Sequence, residues 1–332
     1  MFEGILLNLV VLVVSLLILT RSSHLTITNA VKASEASGMG ATTMGFLVVA
    51  FATSLPELLV SIFAALGAGG IGVAVGNVLG SNIVNVCLIL GICILLLTLN
   101  KASSVTEQLN GRMSKHEGEN LYFGLFMASV IPLALIYIRE ASQLVGAALL
   151  VIFAYNTYHM IRGNSSGKDA VSTKTEGSLG GKAKRYLLLT LLGIVGVVAS
   201  AYFLVDSASS IALLLGVPGV VVGATVVAFG TSVPELATSI EATRQGHLDL
   251  AFGNIVGSGF VNLTLILGVT LVSSPFTVNI FAFHDLAIFS LIANVFLWYF
   301  MSSGRISRRE GLVLIALYAI FLATSFGGHR TT

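Results

Sequence analysis

Two glutamates stand where an apolar stretch should exclude them. Glu57 closes Thr53-Ser54-Leu55-Pro56-Glu57 and Glu235 closes Thr231-Ser232-Val233-Pro234-Glu235, each in the middle of a long hydrophobic run with no basic partner at that depth. An ionised side chain at the centre of a bilayer costs about 2.5–3.5 kcal/mol even on insertion-based scales. Two carboxylates facing each other in a low dielectric also repel, and a bound cation relieves that repulsion. Each glutamate follows a proline, which lacks an N–H and clashes with the carbonyl four residues back, here Ala52 and Gly230. Carbonyls over Ala50–Thr53 and Ala228–Thr231 are therefore expected to leave the helix ladder. Irregular backbone at that depth is tolerated only where protein or a water-filled cavity satisfies it. Carboxylate, hydroxyl and carbonyl oxygens together are the chemistry of a hard cation, and calcium takes about six to eight of them.

A second polar stripe accompanies each glutamate. Ser81 and Asn85 lie one helical turn apart on one face, and Ser258 and Asn262 repeat the spacing. These four are expected to reach the same site. Asn77 and Asn254 extend the stripe by one turn, where binding a neighbouring helix is as good a use as binding an ion. Gly76, Gly80 and Gly91, echoed by Gly253, Gly257 and Gly268, predict close helix approach.

These pairs exist because the chain writes one segment twice. Residues 45–62 return 178 positions later as 223–240 with 12 of 18 identical, and residues 76–91 return as 253–268 with 10 of 16 identical. The matches include Thr, Ser, Pro and Glu, which an apolar composition does not supply by chance. The chain has 332 residues, 55% hydrophobic and 10% charged, with a mean hydropathy of +0.95. That composition places it in a membrane. Runs long enough to cross about 30 Å of hydrocarbon predict ten spans. They fall near 4–30, 39–66, 71–98, 121–138, 141–161, 186–211, 217–243, 248–273, 283–301 and 308–327. The first keeps a polar inner end, and Arg21 stands where a signal-peptidase site would need small residues.

With the N-terminus outside, fifteen Lys and Arg fall on the inner side and only Arg139 and Arg330 outside. The positive-inside rule selects that orientation. Both termini are then external. Five spans per repeat is an odd number, so the second copy enters the membrane in the opposite sense. The expected fold is an all-α polytopic membrane protein of ten transmembrane helices in two inverted five-helix repeats. Residues 1–162 form the first repeat (motif 45–91) and 186–332 the second (motif 223–268). Between them, 163–185 is rich in Gly, Ser and Lys and reads as a flexible cytoplasmic linker. Cys87 and Cys93 share one span and suggest neither a disulfide nor a zinc site.

The quoted segments, Ala52-Thr53-Ser54-Leu55-Pro56-Glu57 with Gly76–Asn85 and Gly230-Thr231-Ser232-Val233-Pro234-Glu235 with Gly253–Asn262, resemble the paired repeats of the cation/calcium exchanger superfamily. The prokaryotic-type sodium/calcium exchanger is the branch most similar. The resemblance implies a core of spans 2, 3, 7 and 8, with spans 1 and 6 sliding past it as a gate. It implies calcium held by Glu57, Glu235 and the backbone of Thr53 and Thr231. Sodium would use the same glutamates with Ser54, Ser232, Ser81, Ser258 and the carbonyls of Ala50 and Ala228. Three departures stand out. Ala52 replaces a usual Gly, Gly259 replaces the Asn present as Asn82 in the first copy, and Asn262 occupies a position that is Asp in potassium-dependent relatives.

The function expected is secondary-active antiport of calcium for sodium by alternating access. Proton/calcium exchange is the alternative within the class, and a cation channel the alternative outside it. An intramembrane enzyme is disfavoured because no His pair of metalloprotease spacing occurs, and no phosphate-cradling motif supports an ATP-driven pump. Calcium, sodium and the lipid bilayer are the expected partners, with no cofactor and no nucleic acid, in a monomer of the plasma membrane.

Overall fold

A computed structural model describes residues 2–66, 70–100, 113, 115–138, 140–166, 179–214, 228–273, 276–277, 280–303 and 306–327. The described residues form a helical bundle, and the one strand pair among them is a two-residue clasp, Glu140–Ala141 against Phe276–Thr277, antiparallel, with Glu140 opposite Thr277.

Helix α1 (Phe2–Ser37) runs unbroken for 36 residues, past the end of its apolar run. Its polar half continues as helix, and there Thr20, Ser23, Thr26 and Asn29 are each satisfied by the carbonyl four residues back, at 2.8 Å. Helix α2 (Ala41–Thr53) breaks at Ser54, and α3 (Leu55–Leu66) leaves at 41° to it. Helix α4 covers 70–100, with a π-helical turn at Val84–Ile89. Helices α5 (Lys115–Ile138) and α6 (Gln143–Ser166) complete the first half. In the second half α7 (Leu179–Leu214), again 36 residues, packs along α1, with Gly193 against Thr26. A single turn at Ala228–Gly230 precedes α8 (Val233–Arg244), then α9 (Leu248–Ser273) with a π-helical turn at Asn262–Ile266, α10 (Ile280–Ser303) and α11 (Arg308–Gly327).

Among the described residues seven helices are long and apolar enough to cross a membrane, or eight if α2 and α3 count as one broken span. Part of the seventh expected span, 217–227, lies outside the described residues, and the tenth corresponds to α11. Of the expected linker, 167–178 lies outside the described residues, while 163–166 and 179–185 continue α6 and α7 as helix.

The interior is built around α9, which is buried along nearly its whole length. Phe252 and Phe260 of α9 pack with Phe46, Ile83, Leu90 and Leu121 in one apolar cluster. The close approach predicted for the glycines is met at α9. A Cβ on Gly253 would fall 2.1 Å from the Thr42 carbonyl oxygen, and one on Gly257 2.7 Å from Phe46 Cα. Only glycine lets α2 lie this near. Gly76 and Gly80 meet no described atom within 4 Å. By contrast, the outer faces of α1 and α7 carry exposed Leu6, Leu7, Leu17, Leu188 and Val195, as lipid-facing helices do.

Candidate cation site

The two breaks have the same local form. Ser54 (φ −81°, ψ 7°) and Ser232 (φ −89°, ψ 6°) sit in the bridge region between helical pieces. Pro56 and Pro234 then occupy the first turn of α3 and of α8, where a missing N–H costs no ladder bond. Glu57 and Glu235 therefore sit in the first turn of a half-helix, where free N–H groups and the helix dipole favour negative charge. One expectation needs correction. The carbonyl of Ala50 is not freed, because the helix continues through Thr53. It accepts the Ser54 N–H at 3.0 Å and the Thr53 hydroxyl at 3.3 Å. Ala228 opens the single turn before the second break.

Both carboxylates are completely buried, and each is held from the opposite repeat. Ser54 Oγ donates to Glu235 Oε1 at 3.2 Å, and Ser232 Oγ donates to Glu57 Oε1 at 3.3 Å. The exchange continues around them. Asn85 Nδ2 donates to Ser258 Oγ at 3.0 Å and Asn262 Nδ2 donates to Ser81 Oγ at 3.0 Å. Thr53 Oγ1 donates to Asn254 Oδ1, and Thr231 Oγ1 to Asn77 Oδ1, both at 3.4 Å. These residues thus form a cluster of separate bonded groups: Ser54, Ser258 and Asn85 with Glu235, Ser232 with Glu57, Ser81 with Asn262, and Thr53 and Thr231 with Asn254 and Asn77.

Four atoms of that cluster are buried without a hydrogen bond: Glu57 Oε2, Glu235 Oε2, Asn85 Oδ1 and Asn262 Oδ1. All four are acceptors, and they come as two repeat-related pairs. Leaving such a group unmade costs about 1–3 kcal/mol, more for charged groups. A ligand that supplies positive charge and no lone pair satisfies all four, and a metal cation does so. Among the described residues no group of three His, Cys, Asp or Glu exists, so the donors are two carboxylates and neutral oxygens. That set suits Ca²⁺ or Na⁺ and not a soft metal.

The pseudo-equivalence is imperfect at the serines. Ser258 Oγ lies 2.9 Å from Ser54 Oγ and donates to Glu235 Oε1 at 3.4 Å, whereas Ser81 Oγ turns to the Val78 carbonyl at 3.1 Å. Asn77 and Asn254 prove to be brackets. Asn77 Nδ2 holds the Glu57 carbonyl oxygen (3.3 Å) and Ser61 (3.2 Å), while Asn254 Nδ2 holds Thr238 (3.2 Å) and Ser239 (2.9 Å). Sequence reasoning passed over Ser61 and Ser239, although they are identical positions in the repeat. The departure at Gly259 also has its reason: a Cβ there would lie 2.5 Å from Asn82 Oδ1, and Asn82 Nδ2 bonds Ser290 Oγ at 2.9 Å. Gly259 makes room for Asn82.

Broken helices from two related segments, each carrying a fully buried carboxylate bonded by a serine of the other segment, mark a secondary cation transporter. The chain belongs to the sodium/calcium exchanger protein family, whose profile matches residues 7–162 and 185–327. It is 31% identical to the sodium/calcium exchanger MaX1 of Methanosarcina acetivorans over 96% of this chain and 98% of that protein. It is 29% identical to the inner membrane protein YrbG of Escherichia coli over 94% of each. Among solved structures, the sodium-calcium exchanger NCX_Mj soaked with 10 mM Na⁺ and zero Ca²⁺ superimposes with a TM-score of 0.81. The identity is 25%, covering 96% of this chain and 99% of that one.

Proposed function

We propose that the protein exchanges calcium for sodium across the plasma membrane by alternating access to a site centred on Glu57 and Glu235. The observation that carries this reading is the set of four buried, unbonded oxygens contributed in equal shares by the two repeats. Family membership supplies the ions. One Ca²⁺ neutralises two ionised glutamates, and sodium competes because it needs the same oxygens. In this reading calcium takes Glu57, Glu235 and the Thr53 and Thr231 backbone. Sodium adds the hydroxyls of Ser54, Ser232, Ser81 and Ser258, the amide oxygens of Asn85 and Asn262, and the carbonyls of Ala50 and Ala228, the Ala50 oxygen giving up its bond from the Thr53 hydroxyl.

The cross-repeat exchange of hydrogen bonds supports two related halves meeting at one site, while inverted five-helix repeats, ten spans and external termini rest on the charge distribution and the odd span count of the sequence. A site shared by oppositely oriented halves opens to either side by equivalent motions, which is what an antiporter needs and a channel does not. The test is sodium-driven ⁴⁵Ca²⁺ uptake into liposomes by Glu57→Gln and Glu235→Gln. Glutamine keeps an Oε1 that accepts the serine bonds, so both variants are expected to fold and to lose transport. Wild-type uptake by either one would refute the assignment.

A further inference from the structure

A crevice of about 360 Å³ lies between α1, α7 and α8, apart from the oxygen cluster. Its walls are Leu16 and Leu19 of α1, Leu204 of α7, and Val233, Leu236 and Ile240 of α8; Glu241 and Arg244 stand at its mouth. The hydroxyls that touch it are spent on their own helix, Thr20 on the Leu16 carbonyl and Ser23 on the Leu19 carbonyl. What the walls offer is hydrocarbon. From Val233 to Arg244 the helix rises about 17 Å, against about 15 Å for one leaflet of hydrocarbon. The crevice therefore runs the depth of one leaflet, and Leu16 at its edge is half exposed toward the lipid.

The mouth is electrically asymmetric. Glu241 is engaged by His24 Nδ1 at 2.8 Å and by Gln245 Nε2 at 2.9 Å. Arg244 is exposed and forms no salt bridge within 4 Å among the described residues, its charge acting on Glu241 only at longer range. A guanidinium left at headgroup depth above an apolar slot matches a phosphate on an acyl chain. We propose that the crevice binds one anionic phospholipid of the inner leaflet, its chain between the α1–α7 pair and α8 and its phosphate on Arg244. This inference is independent of the ion reading, because no wall residue belongs to the oxygen cluster.

Trp298 is the only tryptophan, lies half exposed on α10 and does not line the crevice. A Trp298→Phe background carrying Leu16→Trp puts a reporter at the crevice edge, and Leu204→Trp gives a second should the first misfold. Each protein is reconstituted in phosphatidylcholine vesicles with brominated phosphatidylglycerol or brominated phosphatidylcholine, and tryptophan quenching is measured. The crevice reporter is expected to favour phosphatidylglycerol about fivefold, the factor one arginine contributes beside an anionic headgroup. Native Trp298 is expected to show no preference, and Arg244→Gln to remove the preference at the reporter. No preference at the crevice, or one that survives Arg244→Gln, overturns the proposal. Loss of the preference on adding millimolar inorganic phosphate would make Arg244 a soluble-anion site and overturn it equally.

Discussion

Ser81 and Ser258 are equivalent by sequence but not by contact, and removing each hydroxyl should separate them. Ser258 Oγ donates to a buried carboxylate, touches Ser54 and receives the Asn85 amide; Ser81 receives the Asn262 amide and donates to a backbone carbonyl. Hydrogen bonds to charged groups contribute about 1.5–3 kcal/mol and neutral ones about 0.5–1.5. At about 1.36 kcal/mol per tenfold, Ser258→Ala should raise the calcium concentration for half-maximal exchange by roughly 13- to 160-fold. Ser81→Ala should raise it by roughly 2- to 13-fold. Each substitution strands one amide, Asn85 Nδ2 or Asn262 Nδ2, so that cost is common to both and the carboxylate bond is what separates them. The assay is sodium-driven ⁴⁵Ca²⁺ uptake into liposomes over a calcium titration, with detergent gel filtration to show that both variants are monodisperse. Shifts within threefold of each other would refute the argument that the contact with Glu235 distinguishes the two serines.

Sodium-driven calcium flux should depend on membrane potential, because three Na⁺ at a site of two glutamates leave a net charge to move. Flux indifferent to a potential clamped with a potassium ionophore would instead indicate two sodium ions. Asn262→Asp places a third carboxylate in the cluster and removes the donor to Ser81, so exchange should become more sensitive to pH than in the wild type; an unchanged pH profile would place Asn262 outside the site. Gly259→Ala drives a Cβ toward Asn82 Oδ1 and breaks its bond to Ser290. It should destabilise the protein by about 1–3 kcal/mol in thermal unfolding, and an Asn82→Ala background should remove most of that loss.

The carboxylates, hydroxyls and amides of the site were legible because duplication marked them: identity at Thr, Ser, Pro, Glu and Asn is visible against an apolar background that drifts freely. What the sequence could not show is how the proline is used. A Pro inside an apolar run reads equally as a kink or as a restart, and only the break at Ser54 and Ser232 puts Pro56 and Pro234 in a first turn. That placement gives each glutamate the positive end of a half-helix and leaves the Ala50 carbonyl in its ladder. Helix α1 runs past its hydropathy signal, its side-chain hydroxyls there satisfied on the preceding turn, a local pairing that hydropathy does not register. Ser61 and Ser239 carried the repeat signal in full view, but their role as brackets for Asn77 and Asn254 depends on neighbouring helices that spacing alone does not bring together.

Near-symmetry has a physical limit at the point where the halves meet. Positions 82 and 259 correspond in the two repeats, yet they touch each other, which equivalent positions do only close to the axis that relates them. Two asparagines cannot both fill that space. The chain keeps one, reduces the other to glycine, and anchors the survivor to Ser290 on α10. Three residues further along the same helices, Asn85 and Asn262 reach their serines through matching bonds, but only Ser258 passes the contact on to a carboxylate. Packing at the axis and bonding at the carboxylates therefore both break the equivalence. On the proposed reading, a cation held between Glu57 and Glu235 would meet two unlike hydroxyl environments, and sodium ions flanking the centre would occupy sites of unequal strength.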